Sequence, residues 1–401
     1  MQITPITDYD VKGQRLLVRA DLNVPMSEGK VTDATRITRF AEGMKPLLAQ
    51  GARLVILTHL GRPKGEMNPE FSVDKLRPVL AEALGVPVKF SDVSSGSAAE
   101  IHSQQLKDGE VLLCENVRYN PGEEKNDQTL AAKFARLGDI YVNDAFSTAH
   151  RAHASTEGVA HLMPATAGPL MMEEIKALTE ALEAPESPAV AIVGGAKVST
   201  KIPVLKNLVQ KLDAIIIGGG MANTFLYADG VPMGKSLHEA DQVDTVKEIN
   251  ALAEGSGCRI LLPVDIVYAR EFKSGARSHV TDLDQCPADG MILDAGPRSA
   301  AKFNTELAGA NTLLWNGPLG AFEIPPFDQS TNVVAENAAD LTEAGLLTTI
   351  AGGGDTVAAL NAARVTDSFT YVSTAGGAFL EWLEGKTLPG IAALMDAAQA
   401  A

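Results

Sequence analysis

Short runs of apolar residues alternate with longer helix-like segments along most of the chain. A run that is apolar at every position predicts a strand buried on both faces, because a strand with one face in water alternates apolar and polar residues. Helix-like segments at 34–50, 73–84 and 128–136 separate such runs, which is the order expected of a parallel α/β sheet. The runs that predict strands are 16–18, 54–57, 111–113, 140–142, 189–193, 214–217, 312–315, 346–350 and 369–372.

The segment 168–186 interrupts this alternation and divides the chain. Its apolar residues Met171, Ile175, Leu178 and Leu182 follow helical spacing, with charged residues between them. We interpret the segment as a long inter-domain helix joining two lobes, each a parallel sheet flanked by helices in a Rossmann-like arrangement. A surface helix of the first lobe is a close competing interpretation. The predicted domains are 1–167 and 187–385, with 168–186 as the joining helix and a carboxyl-terminal segment, 386–401, that could cap the second lobe or return to the first.

Basic side chains follow the predicted strands of the first half. The carboxyl ends of parallel strands meet at one edge of a sheet, where ligands of such folds bind. A lone arginine is more often a surface ion pair than a ligand-binding group, but several at equivalent strand ends of an acidic protein indicate a small polyanionic substrate. The residues concerned are Arg19, His59, Arg62, Arg118, His150 and Arg151, with Arg36 at the start of the first helix.

Glycine-rich turns replace these basic residues in the second half. Without a Cβ atom, backbone N–H groups can approach a phosphate or a flat base closely, so a nucleotide is the expected ligand. The stretch 349–356 shows the pattern best, because an apolar run ends in three glycines, Asp355 and Thr356 before the helix-like segment 357–364. The start of that helix favours the added negative charge of a phosphate, and Asp355 is placed to meet an accompanying magnesium ion.

Two other glycine motifs are set aside. The stretch 230–236 resembles a P-loop but is one residue short of the required spacing. The glycines at 218–220 lack the third glycine of a dinucleotide fingerprint, because Asn223 occupies its place. A nucleotide-dependent dehydrogenase is therefore disfavoured.

Composition and charge narrow the class of protein further. The chain has 401 residues and a formal net charge of −16, which argues against general binding to nucleic acids or anionic membranes. Cys114, Cys258 and Cys286 form neither a zinc pattern nor a disulfide framework. No secretory signal or membrane-spanning run is found, so we expect a soluble cytoplasmic protein.

An anion-binding rim on one lobe and a nucleotide-binding rim on the other predict a phosphoryl-transfer enzyme. Such transfer depends on positioning and on neutralising charge, which arginine, lysine, Mg²⁺ and helix N-termini supply. No nucleophile–base pair stands out, which fits a carboxylate acceptor with a pKa of about 4 that is already ionised at neutral pH. The alternative is a non-catalytic nucleotide-binding protein that retains the fold.

The motifs at these strand ends resemble those of the phosphoglycerate kinase family, in family order and over essentially the whole chain. The resemblance implies reversible phosphoryl transfer between ATP and the carboxylate of 3-phosphoglycerate, giving ADP and 1,3-bisphosphoglycerate in glycolysis and gluconeogenesis. It also implies Mg²⁺ with the nucleotide, a monomer, hinge closure and a carboxyl-terminal helix that packs on the first lobe. The motifs are LLVRADLNVP (16–25), HLGRP (59–63), NDAF (143–146), HRAH (150–153), GGAKV (194–198), WNGP (315–318) and GGGDT (352–356).

The resemblance further implies individual roles for residues of this sequence. Two departures from the family pattern are Ala375, where glycine is usual, and Thr58, where serine is usual. The implied catalytic residues are Arg36, Lys197, Gly354 and Gly376. Those implied to bind 3-phosphoglycerate are Asp21, Asn23, Arg36, His59, Arg62, Arg118 and Arg151. Those implied to bind the nucleotide are Lys201, Gly219, Gly220, Asn316, Glu323, Gly353, Gly354, Asp355 and Thr356, with Asp355 also on the magnesium ion.

Overall fold

Two parallel six-stranded sheets organise the chain in the computed structural model, which describes residues 2–400. The chain divides into two compact units, one formed by residues up to 175 together with those from 387 onward, the other by 176–386. The α/β class with two parallel sheets flanked by helices, predicted from the alternation of apolar runs, is confirmed. That each unit serves a different reactant stays a prediction.

The first unit is built around a six-stranded parallel sheet. Its strands are β1 (Arg15–Ala20), β2 (Met26–Ser27), β3 (Lys30–Val31), β4 (Arg53–Leu57), β5 (Val88–Ser91), β6 (Val111–Cys114), β7 (Ile140–Asp144) and β8 (Ala165–Ala167). β2 and β3 form a small hairpin, and the others pair in the order β5-β6-β4-β1-β7-β8. Arg19 pairs with Leu57 of β4 and Ala20 pairs with Asp144 of β7, so these three strands end side by side.

Helices flank the sheet of the first unit. They are α1 (Thr35–Ala49), α2 (Arg77–Leu84), α3 (Ser97–Gln104) and α4 (Gln128–Ala135), and α5 (Pro169–Leu178) begins in this unit and ends in the second. In α1, Ile37, Phe40 and Met44 recur at helical spacing and are fully or almost fully buried. α3 was not predicted, because its sequence has a single large apolar residue, Ile101, which is 52% exposed.

The first turn of α5 is hydrogen-bonded to a carboxylate at the end of β7. Asp144 Oδ1 accepts hydrogen bonds from the backbone N–H groups of Leu170 at 2.8 Å and Met171 at 3.2 Å. Burial raises the pKa of Asp144 to about 7, although these two hydrogen bonds oppose the shift. α5 continues into a π-helical turn, Thr179–Glu183, within the segment for which the sequence predicts a joining helix.

The second unit contains the other parallel sheet and a smaller antiparallel one. Its strands are β9 (Ala189–Val193), β10 (Ala214–Ile217), β11 (Arg259–Leu261), β12 (Asp265–Ala269), β13 (His279–Asp282), β14 (Met291–Ala295), β15 (Thr312–Asn316), β16 (Thr348–Gly352) and β17 (Tyr371–Ser373). The parallel sheet has the order β11-β10-β9-β15-β16-β17, and the antiparallel sheet the order β13-β12-β14. The antiparallel sheet was not predicted, because strands such as β13 are half exposed and lack a continuous apolar run.

Several helices of the second unit begin at a glycine just beyond a strand. The helices after α5 are α6 (Ile202–Leu208), α7 (Gly219–Ala228), α8 (Val243–Ser256), α9 (Pro297–Ala308), α10 (Gln329–Glu343), α11 (Gly354–Ala363), α12 (Gly377–Leu383) and α13 (Pro389–Ala400). α13 belongs to the first unit, where it packs against β8 and where Gly390 N donates to Ala149 O at 2.8 Å. Within residues 2–400, no helix combines the length and apolar character needed to cross a membrane.

Candidate active site

The basic residues predicted for the first unit gather at one edge of its sheet. Because β6, β4, β1 and β7 are parallel neighbours, the residues that follow them emerge on the same side. Asp21 and Asn23 follow β1, His59 and Arg62 follow β4, Arg118 follows β6, Arg151 follows β7, and Arg36 lies in the first turn of α1.

Hydrogen bonds connect three of these strand ends into one network. Arg36 Nη1 donates to Asp21 Oδ2 at 2.7 Å and to the backbone oxygen of Asn23 at 3.1 Å. Asn23 Oδ1 accepts from Gly61 N at 3.0 Å, and Arg118 Nη1 donates to Gly61 O at 2.8 Å. The Arg36 side chain stays 33% exposed, so its charge can reach a ligand at this edge.

The remaining arginines differ in how tightly the protein holds them. Arg118 is 6% exposed, and burial together with the neighbouring Arg19 charge lowers its pKa to about 10, which leaves it protonated at neutral pH. Arg151 Nε donates to His150 Nε2 at 3.1 Å. Arg62 is exposed. The edge therefore presents guanidinium groups of graded exposure to an anion.

His59 is held as a neutral ring with a defined tautomer. Burial and the charge of Arg19 keep the pKa of His59 well below its ordinary value. Arg19 Nη2 lies 3.1 Å from His59 Nδ1. A guanidinium can only donate, so Nδ1 accepts and the proton of the neutral ring resides on Nε2. His59 can thus donate one hydrogen bond to an anionic ligand.

A network of buried polar side chains holds Arg19, which contacts His59. Arg19 is 1% exposed, and its Nε donates to Ser155 Oγ at 2.9 Å. Ser155 Oγ in turn donates to Glu123 Oε1 at 2.5 Å, and Ser155 N donates to Glu123 Oε2 at 3.0 Å. Burial raises the pKa of Glu123 against the opposing charge of Arg19. Arg19, expected at the rim, is therefore an internal support, and neither Ser155 nor Glu123 was predicted.

The glycine-rich rim of the second unit is made of closely approaching backbones. Gly194 N donates to Asn316 O at 3.0 Å, and Gly219 N donates to Leu319 O at 2.9 Å. A Cβ atom at Gly194 would overlap the backbone oxygen of Pro318, and one at Gly219 would lie 2.7 Å from the backbone oxygen of Gly195. Glycine is required at both positions because of this close approach.

Lys201 ties two of these strand ends together. Its Nζ donates to Gly194 O at 2.6 Å, to Asn316 O at 2.9 Å and to Asn316 Oδ1 at 2.7 Å, which occupies all three N–H groups. Asn316 Nδ2 donates to Gly352 O at 2.8 Å and so joins the end of β16 to the same cluster. Burial lowers the pKa of Lys201 to about 8, although the Asp355 carboxylate opposes the shift.

The stretch 353–356 forms the start of α11. Gly353, in the N-cap position, has a φ of +98°, which favours glycine, and Gly354 has no neighbouring atom within 4 Å of the place of a Cβ. Asp355 lies in the first turn of the helix, and Thr356 Oγ1 accepts from Gly317 N at 2.7 Å. The free N–H groups at this helix start can receive an anion.

A cavity of about 500 Å³ opens within the second unit beside these residues. Glycine backbone forms one wall and apolar side chains such as Leu226 and Met291 form another. A pocket of this size that combines apolar walls with few polar groups suits a small organic ligand. The predicted site residues that line it are Gly219, Gly220, Glu323 and Asp355.

Other predicted residues lie outside the lining of this cavity. Lys197 is exposed, just before a 3₁₀ turn at Val198–Thr200. Gly376 occupies the N-cap position of α12 with a φ of +48°. Lys201, Asn316, Gly353, Gly354 and Thr356 cluster at the strand ends described above.

Asp294 lines the cavity and was not predicted. It is 3% exposed, and its carboxylate accepts hydrogen bonds from Ser330 N at 3.0 Å and Ala295 N at 2.9 Å, as well as from Ser330 Oγ. Burial raises its pKa to about 7, while the bonds from Ser330 oppose the shift. Asp294 therefore fixes the start of α10 to the cavity wall. An isolated acid in an unpredicted strand gives no signal in the sequence.

A model of phosphoglycerate kinase matches residues 6–386 of the chain. The chain belongs to the phosphoglycerate kinase family. It is 58% identical over 389 residues to the phosphoglycerate kinase of Ruegeria sp. (strain TM1040), which covers 97% of this chain and 98% of the relative. It is 57% identical over 382 residues to that of Rhizobium meliloti (strain 1021), which covers 95% and 96%.

Solved structures of phosphoglycerate kinase share the fold. The structure from Coxiella burnetii is 43% identical and has a TM-score of 0.92, covering 98% of this chain and 99% of that one. The structure from Pyrococcus horikoshii OT3 is 30% identical with a TM-score of 0.79, covering 99% and 100%. The resemblance drawn from the motifs is thereby confirmed.

The two departures from the phosphoglycerate kinase motifs fit the structure. Ala375 is 5% exposed and its φ is not positive, so the extra methyl group brings no backbone strain. Its N–H donates to Ser373 Oγ at 3.2 Å. Thr58 is fully buried, and its Oγ1 accepts from Leu22 N at 3.1 Å, a bond that a serine hydroxyl also allows.

Proposed function

We propose that this member of the phosphoglycerate kinase family transfers a phosphoryl group reversibly between ATP and the carboxylate of 3-phosphoglycerate, giving ADP and 1,3-bisphosphoglycerate. The observation that carries the proposal is the contrast between two sheet edges of one chain. One edge gathers guanidinium groups and a neutral histidine, and the other exposes glycine backbone beside a cavity. Such a division suits one small anionic reactant and one nucleotide.

We assign 3-phosphoglycerate to the edge of the first unit. The phosphate and carboxylate of 3-phosphoglycerate bind the arginines, and His59 donates a hydrogen bond from Nε2 to one of these two anionic groups. Arg36 also stabilises the phosphoryl group during transfer, because its planar fork suits the charge on equatorial phosphate oxygens. The acceptor carboxylate needs no general base. The assigned residues are Asp21, Asn23, Arg36, His59, Arg62, Arg118 and Arg151.

We assign the nucleotide to the second unit. The adenine borders Gly219 and Gly220 in the cavity, and Glu323 binds the ribose hydroxyls. The phosphates lie at the start of α11, where backbone N–H groups and the helix dipole favour them. The residues assigned to the phosphates and their support are Lys201, Asn316, Gly353, Gly354 and Thr356, with Lys197 and Gly376 on the transferring group.

The residues present fit a magnesium ion that arrives with the nucleotide. Kinases that use ATP employ Mg²⁺ to neutralise phosphate charge. Within residues 2–400, no group of three or more His, Cys, Asp or Glu side chains could hold a metal by itself. A single carboxylate, Asp355, beside a phosphate-binding helix start matches the way Mg²⁺ binds, through one or two carboxylates plus phosphates and water.

A coupled assay with 3-phosphoglycerate, ATP and Mg²⁺ tests the function. We expect turnover by the natural protein, loss of turnover with EDTA, and a loss of about a hundredfold or more in Asp355→Asn, because the ion then lacks its protein ligand. Asp340→Asn, at an exposed position of α10, serves as the control and should retain full activity. Binding of ATP without turnover would instead identify a non-catalytic nucleotide-binding protein.

ATP binding should be accompanied by proton uptake at Lys201. Because the pKa of Lys201 is about 8, roughly half of its molecules are neutral at pH 8, and an incoming phosphate favours the charged form. Calorimetric titration with ATP at pH 8, in two buffers of different ionisation enthalpy, should show uptake of up to about half a proton. Lys201→Arg should abolish the uptake because arginine stays charged.

The control for this titration is Lys206→Arg, at a position on α6 where the lysine pairs with Glu248 at 2.6 Å on the surface. It should leave the uptake unchanged. Equal binding heats in the two buffers for the natural protein would show that Lys201 gains no proton when ATP binds.

We also propose that the enzyme acts as a monomer in the cytoplasm. The family resemblance supports the monomer. The cysteines support a reducing compartment, because Cys114, Cys258 and Cys286 are all buried and free of disulfide bonds. The net charge of −16 supports small-molecule reactants rather than nucleic acid or membrane partners.

A further inference from the structure

The Asp21 carboxylate accepts three hydrogen bonds from within the protein. Its Oδ2 accepts from Arg36 Nη1 at 2.7 Å and also from the hydroxyl of Ser147. Its Oδ1 accepts from Asn23 N at 3.2 Å. The Asp21 side chain is 13% exposed, so part of it stays accessible to a ligand although both carboxylate oxygens accept hydrogen bonds.

Ser147 reaches Asp21 from a short hydrogen-bonded turn. It is the middle residue of the 3₁₀ turn Phe146–Thr148, directly after β7, and its two neighbours in the turn are buried. Because β7 is paired with β1, the turn lies beside the segment that carries Asp21. The donor therefore comes from the end of β7, whereas Asp21 follows β1 and Arg36 lies in α1.

The Ser147 hydroxyl is not needed to close its own turn. Backbone bonds from Thr148 N to Ala145 O at 3.0 Å and from Ala149 N to Phe146 O at 2.9 Å close the turn. The neighbouring hydroxyl, Thr148 Oγ1, donates to Ala145 O at 3.0 Å. Removal of the Ser147 hydroxyl thus leaves the local backbone bonding intact and affects the Asp21 carboxylate.

We infer that Ser147 is a positioning residue for 3-phosphoglycerate, acting through Asp21. A neutral hydroxyl on Oδ2 fixes the plane of the carboxylate without adding charge, so that Asp21 keeps one orientation toward the substrate when Arg36 turns to the phosphoryl group. Arg36 and Ser147 share one acceptor atom, so the serine holds Asp21 whenever the arginine leaves. The inference rests on the proposed function, which assigns Asp21 and Arg36 to this substrate.

Steady-state kinetics of Ser147→Ala and Ser147→Thr test the inference. Loss of a hydrogen bond to a charged group should raise KM for 3-phosphoglycerate about fivefold to tenfold in Ser147→Ala. KM for ATP should change by less than about twofold, because the nucleotide is assigned to the other unit. Ser147→Thr keeps the hydroxyl and should restore KM for 3-phosphoglycerate to within about twofold of the natural value.

A double-mutant cycle separates positioning from a merely structural role. Within Asp21→Asn, the further change Ser147→Ala should raise KM for 3-phosphoglycerate by less than about twofold, because the group it positions is already altered. Ser27→Ala, on the exposed hairpin strand β2, is the matched control and should behave as the natural protein. Thermal unfolding of each variant shows that it is folded.

The outcomes for the two proposals are distinct. A Ser147→Ala variant with unchanged KM for 3-phosphoglycerate, with both KM values raised alike, or with the full effect retained in Asp21→Asn overturns the inference and leaves the proposed function standing. Absence of turnover by the natural protein overturns the proposed function and the inference together.

Discussion

Replacement of Arg36 by alanine is expected to lower kcat about a thousandfold, the order seen when a transition-state arginine is removed from a phosphoryl-transfer enzyme. Arg36 is partly exposed, and its bonds to Asp21 and to the backbone oxygen of Asn23 keep its charge at this edge until it turns to the transferring group. Its interaction with the transferring group is strongest in the transition state, so ATP affinity should change little. Single-turnover kinetics and calorimetric ATP binding measure the two quantities separately.

Arg39→Ala provides the control on the same helix. Arg39 Nη2 bonds the Glu173 carboxylate at 3.0 Å in a partly exposed pair, which contributes little to stability and nothing to the reacting group. The kcat of Arg36→Lys should lie between those of Arg36→Ala and the natural protein, because lysine keeps the charge but loses the planar fork. Normal kcat in Arg36→Ala, or equal losses in the two alanine variants, would refute the assignment.

Gly194→Ala should destabilise the second unit by about 3 kcal/mol or more, because an added methyl group would overlap backbone atoms that cannot rotate away. The atoms nearest to the added Cβ would be Pro318 O, Pro318 C and Gly317 C, and the last two would lie within 2.9 Å of it. The change would also separate Gly194 from Asn316 and Lys201, which bond it at 3.0 and 2.6 Å. ATP binding should be lost along with stability.

Tryptophan fluorescence during denaturant unfolding measures this effect in the second unit alone. The chain has two tryptophans, Trp315 and Trp382, and both lie within 176–386. Gly255→Ala, in α8, is the control: no atom lies within 4 Å of the added methyl, so helix propensity should raise stability by up to about 1 kcal/mol. If Gly194→Ala unfolded at the same denaturant concentration as the natural protein, the steric account would be wrong.

The sequence predicted the parallel strands well because each is buried on both faces. β9, for example, is apolar and buried at every position. Elements with one exposed face carried a weaker signal, which is why α3 and the sheet β13-β12-β14 were missed. The strand-end motifs predicted which residues gather at each edge, because parallel strands end together whatever their exact packing.

Residues that act through another side chain could not be predicted from the sequence. Arg19 follows a predicted strand just as the rim arginines do, so its position in the sequence does not separate it from them. Only its burial in the structure distinguishes it. Ser147, Ser155 and Glu123 contact residues far away in the chain, and a hydroxyl or a single acid has no characteristic spacing. Their contributions depend on three-dimensional neighbours, so a motif cannot contain them.

The placement of α13 in the first unit has a consequence for the order of folding during synthesis. Residues 176–386 form the second unit as one uninterrupted segment, whereas the first unit is discontinuous in the chain. A ribosome therefore completes every residue of the second unit before it adds the helix that covers β8 of the first. The unit whose translation begins earlier is the later one to acquire all its parts, the reverse of the usual amino-terminal-first sequence.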